Sequence, residues 1–332
     1  MVSNQKLFSV GTFDFRLKHL LVIGVLILSV TISMLIRSTP MTYEFELFEF
    51  DSFFNYRATE YIIENGYLDY SQWVDEKTWH PFGRDVSANS QVVLHVTAAF
   101  LYKIFGFNSS LYDFAIVFPM VIGSLTAIIV FAFVRVLGGT TAGLFAALMF
   151  SISVPIFSRG LIGWFKSEPL GLFFAFLAMY LFISSMSNYK GKSSLIKLAF
   201  AGFFLSLSFS AWGGSLFFMI PILIFYFIIP FLKRENNPFI VSVPIFSISV
   251  IIFSLAFERS MAFTSGYFGL AVGFATLYVV VCEIIKKYSD KSKEIRNCFI
   301  VLISIIASIV GILSSGLVNL PGFRYLNAVN PF

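Results

Sequence analysis

LLVIGVLILSVTISMLI, residues 20–36, is a run of seventeen residues without a charged side chain. An α-helix rises about 1.5 Å per residue and the hydrocarbon core of a bilayer is about 30 Å thick, so a span needs roughly 20 largely apolar residues. The run therefore predicts a transmembrane helix. Residues 1–19 lack the small-residue cleavage site of a signal peptide, so this helix is expected to remain as an anchor.

The rest of the chain has the same character. Of its 332 residues, 58% are hydrophobic and 12% are charged, and the mean hydropathy is +0.85, which lies outside the range of soluble domains. The composition predicts an all-α polytopic membrane protein, and the apolar runs predict about nine spans. After 20–36, the other eight are expected at 114–134, 140–157, 169–186, 198–211, 215–232, 238–257, 262–285 and 297–316.

Two features exclude other classes of site. Cys282 and Cys298 are the only cysteines and lie in or beside predicted spans, which indicates packing residues rather than a disulfide framework or a cysteine-rich metal centre. The net charge is +5, but the sequence contains no basic run with interleaved aromatic residues, so no nucleic-acid partner is expected.

The segment 91–107, QVVLHVTAAFLYKIFGF, decides the topology. It is apolar but short, and it carries His95 and Lys103. If it lies on the outer surface as an interfacial helix, 14 of the 23 basic residues fall on the inner side, as the positive-inside rule favours. If it crosses the membrane, the basic residues of 190–197 and 286–296 move outside. The interfacial position is therefore predicted.

This topology divides the chain into five parts. They are an inner N-terminus at 1–19, the first span at 20–36, a large outer loop at 37–113, a helix bundle at 114–316 with an outer loop at 158–168, and the start of a further outer loop at 317–332. The first outer loop is acidic, since 44–113 holds 11 of the 18 carboxylates.

The two outer loops place acidic residues on one membrane face. Glu49 and Asp51 belong to the first loop, and Glu168 begins the span after the second, where the positive end of a helix favours a carboxylate. The plainer interpretation is that Glu168 only caps its helix and Asp51 lies in a solvated loop. A transporter is less favoured, because Pro155 and Pro221 lie in or near spans without ionisable neighbours.

Three sequence blocks together resemble one family. FEFDSFFNYRATEYIIENGYLDYSQWVDEKTWHPFGRDV at 48–86, SRGLIGWFKSEPLGLFF at 158–174 and SAWGG at 210–214 are similar, in order and spacing, to the catalytic subunit of oligosaccharyltransferase, including its single-subunit archaeal relatives. The resemblance implies a GT-C-type glycosyltransferase architecture in the cell membrane with the active site on the outer face. It also implies transfer of an oligosaccharide from a dolichyl phosphate or pyrophosphate donor to asparagine in Asn-X-Ser/Thr.

The implied partners are a lipid-linked oligosaccharide, an acceptor polypeptide and membrane lipid. Whether other subunits assist stays open. The family also uses a divalent cation, Mn²⁺ or Mg²⁺, to position the acceptor amide and to offset charge on the departing phosphate. Hard cations of this kind prefer oxygen ligands, which explains the expected carboxylates.

The resemblance assigns the carboxylates one by one. Asp51 matches the metal-binding aspartate of the first acidic motif, and Glu168 matches the last position of the second, so both are candidate catalytic residues and metal ligands. Glu49 is a third candidate catalytic residue. Lys166 departs from the pattern, because most relatives carry aspartate there and a protonated lysine cannot bind a metal. Either the site is built differently, or activity is lost, or Lys166 meets the donor phosphate.

Other residues complete the expected site. His80, Arg84 and Trp212 are candidates for contact with the donor phosphate, although His80 could be a satisfied loop histidine and Trp212 an aromatic anchor at the membrane surface. Arg57 and Arg159 are expected to pair with carboxylates and keep them ionised.

Two further expectations concern modification and completeness. Asn108-Ser109-Ser110 is itself an acceptor-type sequon. The family continues into another outer loop with a catalytic glutamate and into a domain with a Trp-Trp-Asp block, which these 332 residues do not contain. The chain is therefore expected to be an incomplete fragment that is inactive alone, with a non-catalytic scaffold or pseudoenzyme of the same family as the alternative.

Overall fold

The computed structural model describes residues 6–11, 13–187, 189–232, 239–290 and 292–314. Helices dominate these residues. The α-helices are α1 Leu17–Arg37, α2 Phe50–Ser71, α3 Val86–Asn89, α4 Val92–Phe105, α5 Leu111–Ile152, α6 Val154–Phe157, α7 Glu168–Ser187, α8 Lys192–Ala211, α9 Met219–Ile228, α10 Phe239–Ser254, α11 Glu258–Ser265, α12 Tyr267–Tyr288 and α13 Glu294–Ser314.

Six helical stretches of the described residues are long and apolar enough to cross a membrane. They are Leu17–Arg37, Leu111–Ile152, Glu168–Ser187, Lys192–Ala211, Gly213–Phe231 and Phe268–Tyr288. The predicted class, an all-α polytopic membrane protein, is confirmed. The count of nine spans stays a prediction, as do the assigned sides of the membrane.

The longest helix, α5, folds back on itself. Gly139 has φ +84° and ψ 178°, which no helical residue adopts. Beyond it, a Cβ placed on Gly143 would lie 2.8 Å from the carbonyl oxygen of Phe131, and Ala147 packs in one cluster with Phe131. In a straight helix these residues would be far apart. The predicted spans 114–134 and 140–157 are therefore the two legs of a hairpin, and the second leg ends at Ile152 rather than at 157.

Other helix bounds differ from the sequence prediction by a few residues. Helix α8 begins at Lys192, six positions before the predicted 198, because a lysine can extend its charged end toward water while its apolar stem stays in the helix. The predicted span 262–285 is interrupted at Gly266, between α11 and α12. The predicted segment 317–332 lies outside the described residues.

Two short antiparallel ladders were not predicted. Strands β1, Lys6–Val10, and β2, Phe13–Arg16, form a hairpin directly before α1. Strands β3, Val74–Asp75, and β4, Arg84–Asp85, pair within the predicted outer loop. The second ladder brings the stretch after α2 back toward α3, which places Arg84 beside the aromatic residues of α2.

The chain forms two compact units. The first comprises Met1–Ile220 with Ile245–Gly269, and the second comprises Pro221–Pro244 with Leu270–Phe332. In the first unit, α7 packs between α5 and α8, α1 packs on α5, and α2 packs on α4. All the candidate site residues belong to this unit. In the second unit Cys282 and Cys298 are buried and free.

Candidate active site

Glu49 and Asp51 lie at the N-terminus of α2. Glu49 is the N-cap, with φ +70° and ψ 136°, and its side chain accepts a hydrogen bond from the backbone N–H of Asp51 at 3.4 Å. The two side chains are 39% and 45% exposed. The partial positive charge of a helix N-terminus favours carboxylates in the first turn. Two acidic groups are therefore held together at a position that remains open to solvent.

The second predicted outer loop is fixed against this position by its backbone. The N–H of Gly163 donates to the carbonyl of Ile116 at 2.8 Å, and the N–H of Phe48 donates to the carbonyl of Gly163 at 3.2 Å. Gly163 has φ +81°, and a Cβ there would lie 2.2 Å from the carbonyl oxygen of Glu46. Glycine is therefore required for the loop to lie directly against the chain that leads into Glu49.

A buried polar chain holds the next residue of the loop. Asn55 lies one turn after Asp51, and its side-chain amide donates to the carbonyl of Phe165 at 2.9 Å. The amide oxygen of Asn55 is 2.9 Å from Nε2 of His95, and Nδ1 of His95 is 2.6 Å from the hydroxyl of Tyr70. Since Asn55 accepts at its oxygen, His95 donates from Nε2 and accepts from Tyr70 at Nδ1. Burial lowers the pKa of His95 to about 3, so it is neutral.

Lys166 reaches both acidic residues of α2. Its Nζ lies 3.0 Å from Oε2 of Glu49 and 2.9 Å from Oδ2 of Asp51, and its side chain is 14% exposed. The ammonium also lies 4.8 Å from the centroid of the Trp164 ring. Partial burial opposes the charged form, but the hydrogen bonds and charges of Asp51 and Glu49 together raise the pKa of Lys166 above its usual value. The group is therefore an ammonium ion at neutral pH.

Glu168, the first residue of α7, faces a different cation. Its Oε1 lies 3.7 Å from Nη1 of Arg159, and its Oε2 is buried with no hydrogen-bond partner among the described residues. The guanidinium of Arg159 lies 5.4 Å from the centroid of the Trp164 ring. Trp164 therefore lies close to two cations: Lys166, which pairs with the carboxylates of the first acidic motif, and Arg159, which pairs with Glu168 of the second.

Arg57 lies away from these carboxylates. It forms an ion pair with Asp75, a residue that is 2% exposed. Asp75 also accepts from the hydroxyl of Thr78 at 2.8 Å. The structure therefore brings Arg57 to the β3–β4 ladder, while Arg159 is the arginine beside Glu168.

The expected phosphate-binding residues are spread over three elements. Arg84 lies over the ring of Phe54, with 4.2 Å between its Cζ and the ring centroid. His80 is exposed between β3 and β4. Trp212 ends α8 and packs on α7, where a Cβ on Gly171 would lie 2.5 Å from the Trp212 Cβ. No direct contact joins these three candidates in the part of the chain that the structure describes.

Arg259, in the first turn of α11, was missed by the sequence analysis. Its Nη2 would lie 3.4 Å from a Cβ on Gly213, in the SAWGG block. Burial, and then the like charge of Arg84, lower the pKa of Arg259. The available signal was an isolated arginine between the predicted spans 238–257 and 262–285, in a turn that the predicted topology places on the outer face.

The residues present do not fit the expected metal site. Among the described residues, no three or more His, Cys, Asp or Glu side chains are grouped so that they could hold a metal ion. Glu49 and Asp51 converge on an ammonium ion, and Glu168 lies beside a guanidinium. These cations donate hydrogen bonds and offer no lone pair to a metal.

Solved structures with the same fold include oligosaccharyltransferase structures from Archaeoglobus fulgidus. The oligosaccharyltransferase AglB from Archaeoglobus fulgidus, in complex with an inhibitory peptide and a dolichol-phosphate, aligns with a TM-score of 0.73 over 94% of this chain and 39% of its own, at 17% identity. A complex of the Archaeoglobus fulgidus enzyme with Zn and sulfate aligns with a TM-score of 0.70 over 88% of this chain and 40% of its own, at 18% identity. A form tethered to an acceptor peptide with the NVT sequon aligns with a TM-score of 0.66 over 92% of this chain and 40% of its own, at 17% identity.

Curated relatives are similar over a part of their length. A dolichyl-diphosphooligosaccharide–protein glycosyltransferase subunit STT3B of Arabidopsis thaliana is 30% identical over 180 residues, which cover 53% of this chain and 24% of the relative. The STT3 subunit of Dictyostelium discoideum is 28% identical over 226 residues, which cover 66% of this chain and 30% of the relative. The chain therefore spans less than a third of the length of these relatives.

The model of the family described as oligosaccharyl transferase STT3, N-terminal, matches residues 23–281. This match includes most of α1, the 48–86 and 158–174 blocks, the SAWGG block and Arg259. The chain belongs to the oligosaccharyl transferase STT3 family.

Proposed function

We propose that this chain forms the membrane-embedded part of a protein N-glycosylation enzyme. The reaction transfers an oligosaccharide from a dolichyl phosphate or diphosphate donor to the asparagine of an Asn-X-Ser/Thr sequon. Family membership supports the proposal, and so do the archaeal structures with a dolichol-phosphate and an NVT peptide. The observation that carries it is that Lys166 contacts both Glu49 and Asp51. These residues come from two different loops, and Asp51 and Lys166 are 115 positions apart in the sequence.

Glu49 and Asp51 suit the acceptor side of this reaction. The amide nitrogen of asparagine is a poor nucleophile, and carboxylates that accept its N–H groups orient it for attack. In the transfer, the amide nitrogen bonds to the anomeric carbon while the bond from that carbon to the phosphate oxygen breaks. The nitrogen then loses one proton, for which Asp51 or Glu49 is the acceptor. Lys166 holds the two carboxylates in place.

Arg84 and Arg259 suit the donor side. Guanidinium groups bind phosphate oxygens through paired, charge-assisted hydrogen bonds. The positive charge of Arg84 disfavours the charged form of Arg259, and a bound phosphate anion would offset that effect. Trp212 and the exposed His80 remain candidates for the same phosphate. The donor's lipid tail would lie along apolar helices such as α8.

The divalent cation expected from the resemblance, Mn²⁺ or Mg²⁺, has weaker support in this chain. An archaeal structure with the same fold holds Zn and sulfate. When bound, such an ion orients the amide and offsets phosphate charge. In this chain Lys166 lies between Glu49 and Asp51, and no step of the proposal depends on a metal.

The proposal locates the protein in the cell membrane, with residues 37–113 and 158–168 on the outer face. Apolar helices and membrane-bound relatives support an integral membrane protein. The alternative is a non-catalytic scaffold or pseudoenzyme of the same family. The ion pairs of Lys166 favour that alternative, since most relatives are expected to carry aspartate there.

A transfer assay tests the proposal. The protein is purified from the membranes of its own cells through a tag on this chain, with whatever assembles on it. A sequon peptide, or the same peptide with glutamine in place of asparagine, is added with a dolichyl-linked oligosaccharide. We expect glycopeptide by mass spectrometry from the asparagine peptide alone. Donor binding without transfer would support the scaffold and contradict the enzyme. If the protein neither bound the donor nor transferred the oligosaccharide, both candidate functions would be contradicted.

A further inference from the structure

The ion pairs of Lys166 differ from ordinary surface pairs. Its Nζ lies 3.0 Å from Glu49 and 2.9 Å from Asp51, and the lysine side chain is 14% exposed. By comparison, the lysine of the pair between Lys293 and Asp290 is 53% exposed, and its nitrogen reaches a single carboxylate at 3.2 Å. Exposed single pairs of that kind contribute little and form readily by chance. Lys166 instead connects two carboxylates, and its own side chain is largely covered.

The backbone around Lys166 fixes the ammonium in this position. Asn55 donates to the carbonyl of Phe165, directly before Lys166, and the N–H of Lys166 donates to the carbonyl of Trp164 at 2.7 Å. The loop is also held at Gly163 by hydrogen bonds in both directions. The face of the Trp164 ring lies 4.8 Å from the ammonium, a favourable arrangement for a cation.

A divalent cation would need the oxygens that the ammonium already occupies. Oε2 of Glu49 and Oδ2 of Asp51 point to one place, and Lys166 fills it. A metal ion at that place would have to displace the Lys166 ammonium, whose backbone is held in position by hydrogen bonds. Among the described residues it would then meet two carboxylates and no third ligand of the kind a hard cation requires, because Glu168 lies beside Arg159.

We propose that the ammonium of Lys166 takes the place of the divalent cation, so that Glu49 and Asp51 form a site that works without bound metal. The ammonium holds the two carboxylates together and keeps a third N–H for an incoming oxygen, such as the carbonyl of an acceptor amide or a phosphate oxygen. The three groups carry one net negative charge, which leaves a carboxylate able to accept a proton. The role in transfer rests on the proposed function, but the absence of metal binding does not.

Mn²⁺ binding tests this directly. The purified protein is titrated with Mn²⁺, and free Mn²⁺ is followed by its electron paramagnetic resonance signal, with no donor or acceptor present. Five forms are compared: wild type, Asp51→Asn, Lys166→Asp, Lys166→Asp with Asp51→Asn, and Lys293→Asp. The last is the matched control, because it makes the same charge change beside an acidic residue on the surface.

We expect wild type and Lys293→Asp to leave the signal of free Mn²⁺ unchanged. Lys166→Asp should bind Mn²⁺ stoichiometrically, and Asp51→Asn should abolish that binding. Stoichiometric binding to wild type that Asp51→Asn removes would overturn the inference. So would a Lys166→Asp protein that elutes as a single folded species and binds no more Mn²⁺ than Lys293→Asp.

The outcome is separable from that of the transfer assay. A wild-type protein that transfers glycan at an unchanged rate in excess chelator confirms both proposals. A protein that neither binds Mn²⁺ nor transfers glycan contradicts the proposed enzyme and leaves the metal-free site standing. Transfer that is abolished by chelator and restored by Mn²⁺ overturns the role of Lys166 while it supports the enzyme.

Discussion

Asn55 donates a hydrogen bond of 2.9 Å to the carbonyl oxygen of Phe165, and this bond joins α2 to the loop that presents Lys166. The same side chain accepts from His95, so one buried amide connects three parts of the first unit. Asn55 lies one helical turn from Asp51, which means that the distance between the carboxylates and the ammonium depends on this contact.

Replacement of Asn55 by alanine should destabilise the protein. The N–H of His95 and the carbonyl of Phe165 would remain buried without their partner, at a cost of about 1–3 kcal/mol. Thermal unfolding in detergent, followed by circular dichroism, measures the effect. Asn65→Ala is the matched control, because Asn65 lies on the same helix with an exposed side-chain hydrogen bond to the carbonyl of Tyr61. An equal fall in melting temperature for both variants would contradict the prediction.

Gly163→Ala should be more damaging than Gly66→Ala. Both glycines have positive φ, +81° and +87°, so alanine strains the backbone at either position by about 1–3 kcal/mol. Only at Gly163 would the new Cβ also meet a backbone oxygen, that of Glu46 at 2.2 Å, whereas nothing lies within 4 Å at Gly66. We expect Gly163→Ala to lower the melting temperature further than Gly66→Ala. Similar values would mean that the loop can move away from Glu46.

Arg259→Gln should weaken donor binding. Loss of one charge-assisted hydrogen bond to phosphate corresponds to about 1.5 kcal/mol or more, or roughly a tenfold rise in the dissociation constant. Native mass spectrometry with dolichyl phosphate measures the affinity. Arg135→Gln is the control, since Arg135 is exposed and falls on the predicted inner side. Unchanged affinity in Arg259→Gln would remove this residue from the proposed phosphate site.

Helix α4 should lie along the membrane surface. It has 14 residues, which at about 1.5 Å per residue extend about 21 Å, less than the roughly 30 Å of a hydrocarbon core. Asn89→Cys and Ser109→Cys place exposed thiols at its two ends, while Cys282 and Cys298 are buried. We expect a membrane-impermeant maleimide, added to intact cells, to label both positions. Labelling of one end alone would show that α4 crosses the membrane and would invert the predicted topology after it.

The sequence alone predicted the helical membrane fold and most helix positions, because apolar runs depend on local composition. It predicted Glu49, Asp51 and Lys166 as one site only through the resemblance. It did not predict Asn55, whose partner is 110 positions away, or Arg259, which lies beside Gly213 of the SAWGG block. Such contacts leave no periodic pattern. The reversal at Gly139 was predicted as two spans but not as a hairpin within one helix, because hydropathy carries no information on backbone angles.

The tryptophans offer an unlabelled optical reporter of this site. The chain has four, Trp73, Trp79, Trp164 and Trp212, and all of them belong to the first unit. Trp164 lies within 4.8 Å of the Lys166 ammonium and 5.4 Å of the Arg159 guanidinium, and nearby cations alter the emission of an indole. Trp73, Trp79 and Trp164 belong to the two loops, while Trp212 lies at the end of α8. Much of the intrinsic fluorescence therefore originates in the two loops, and a peptide or lipid that binds there should change it without any attached dye.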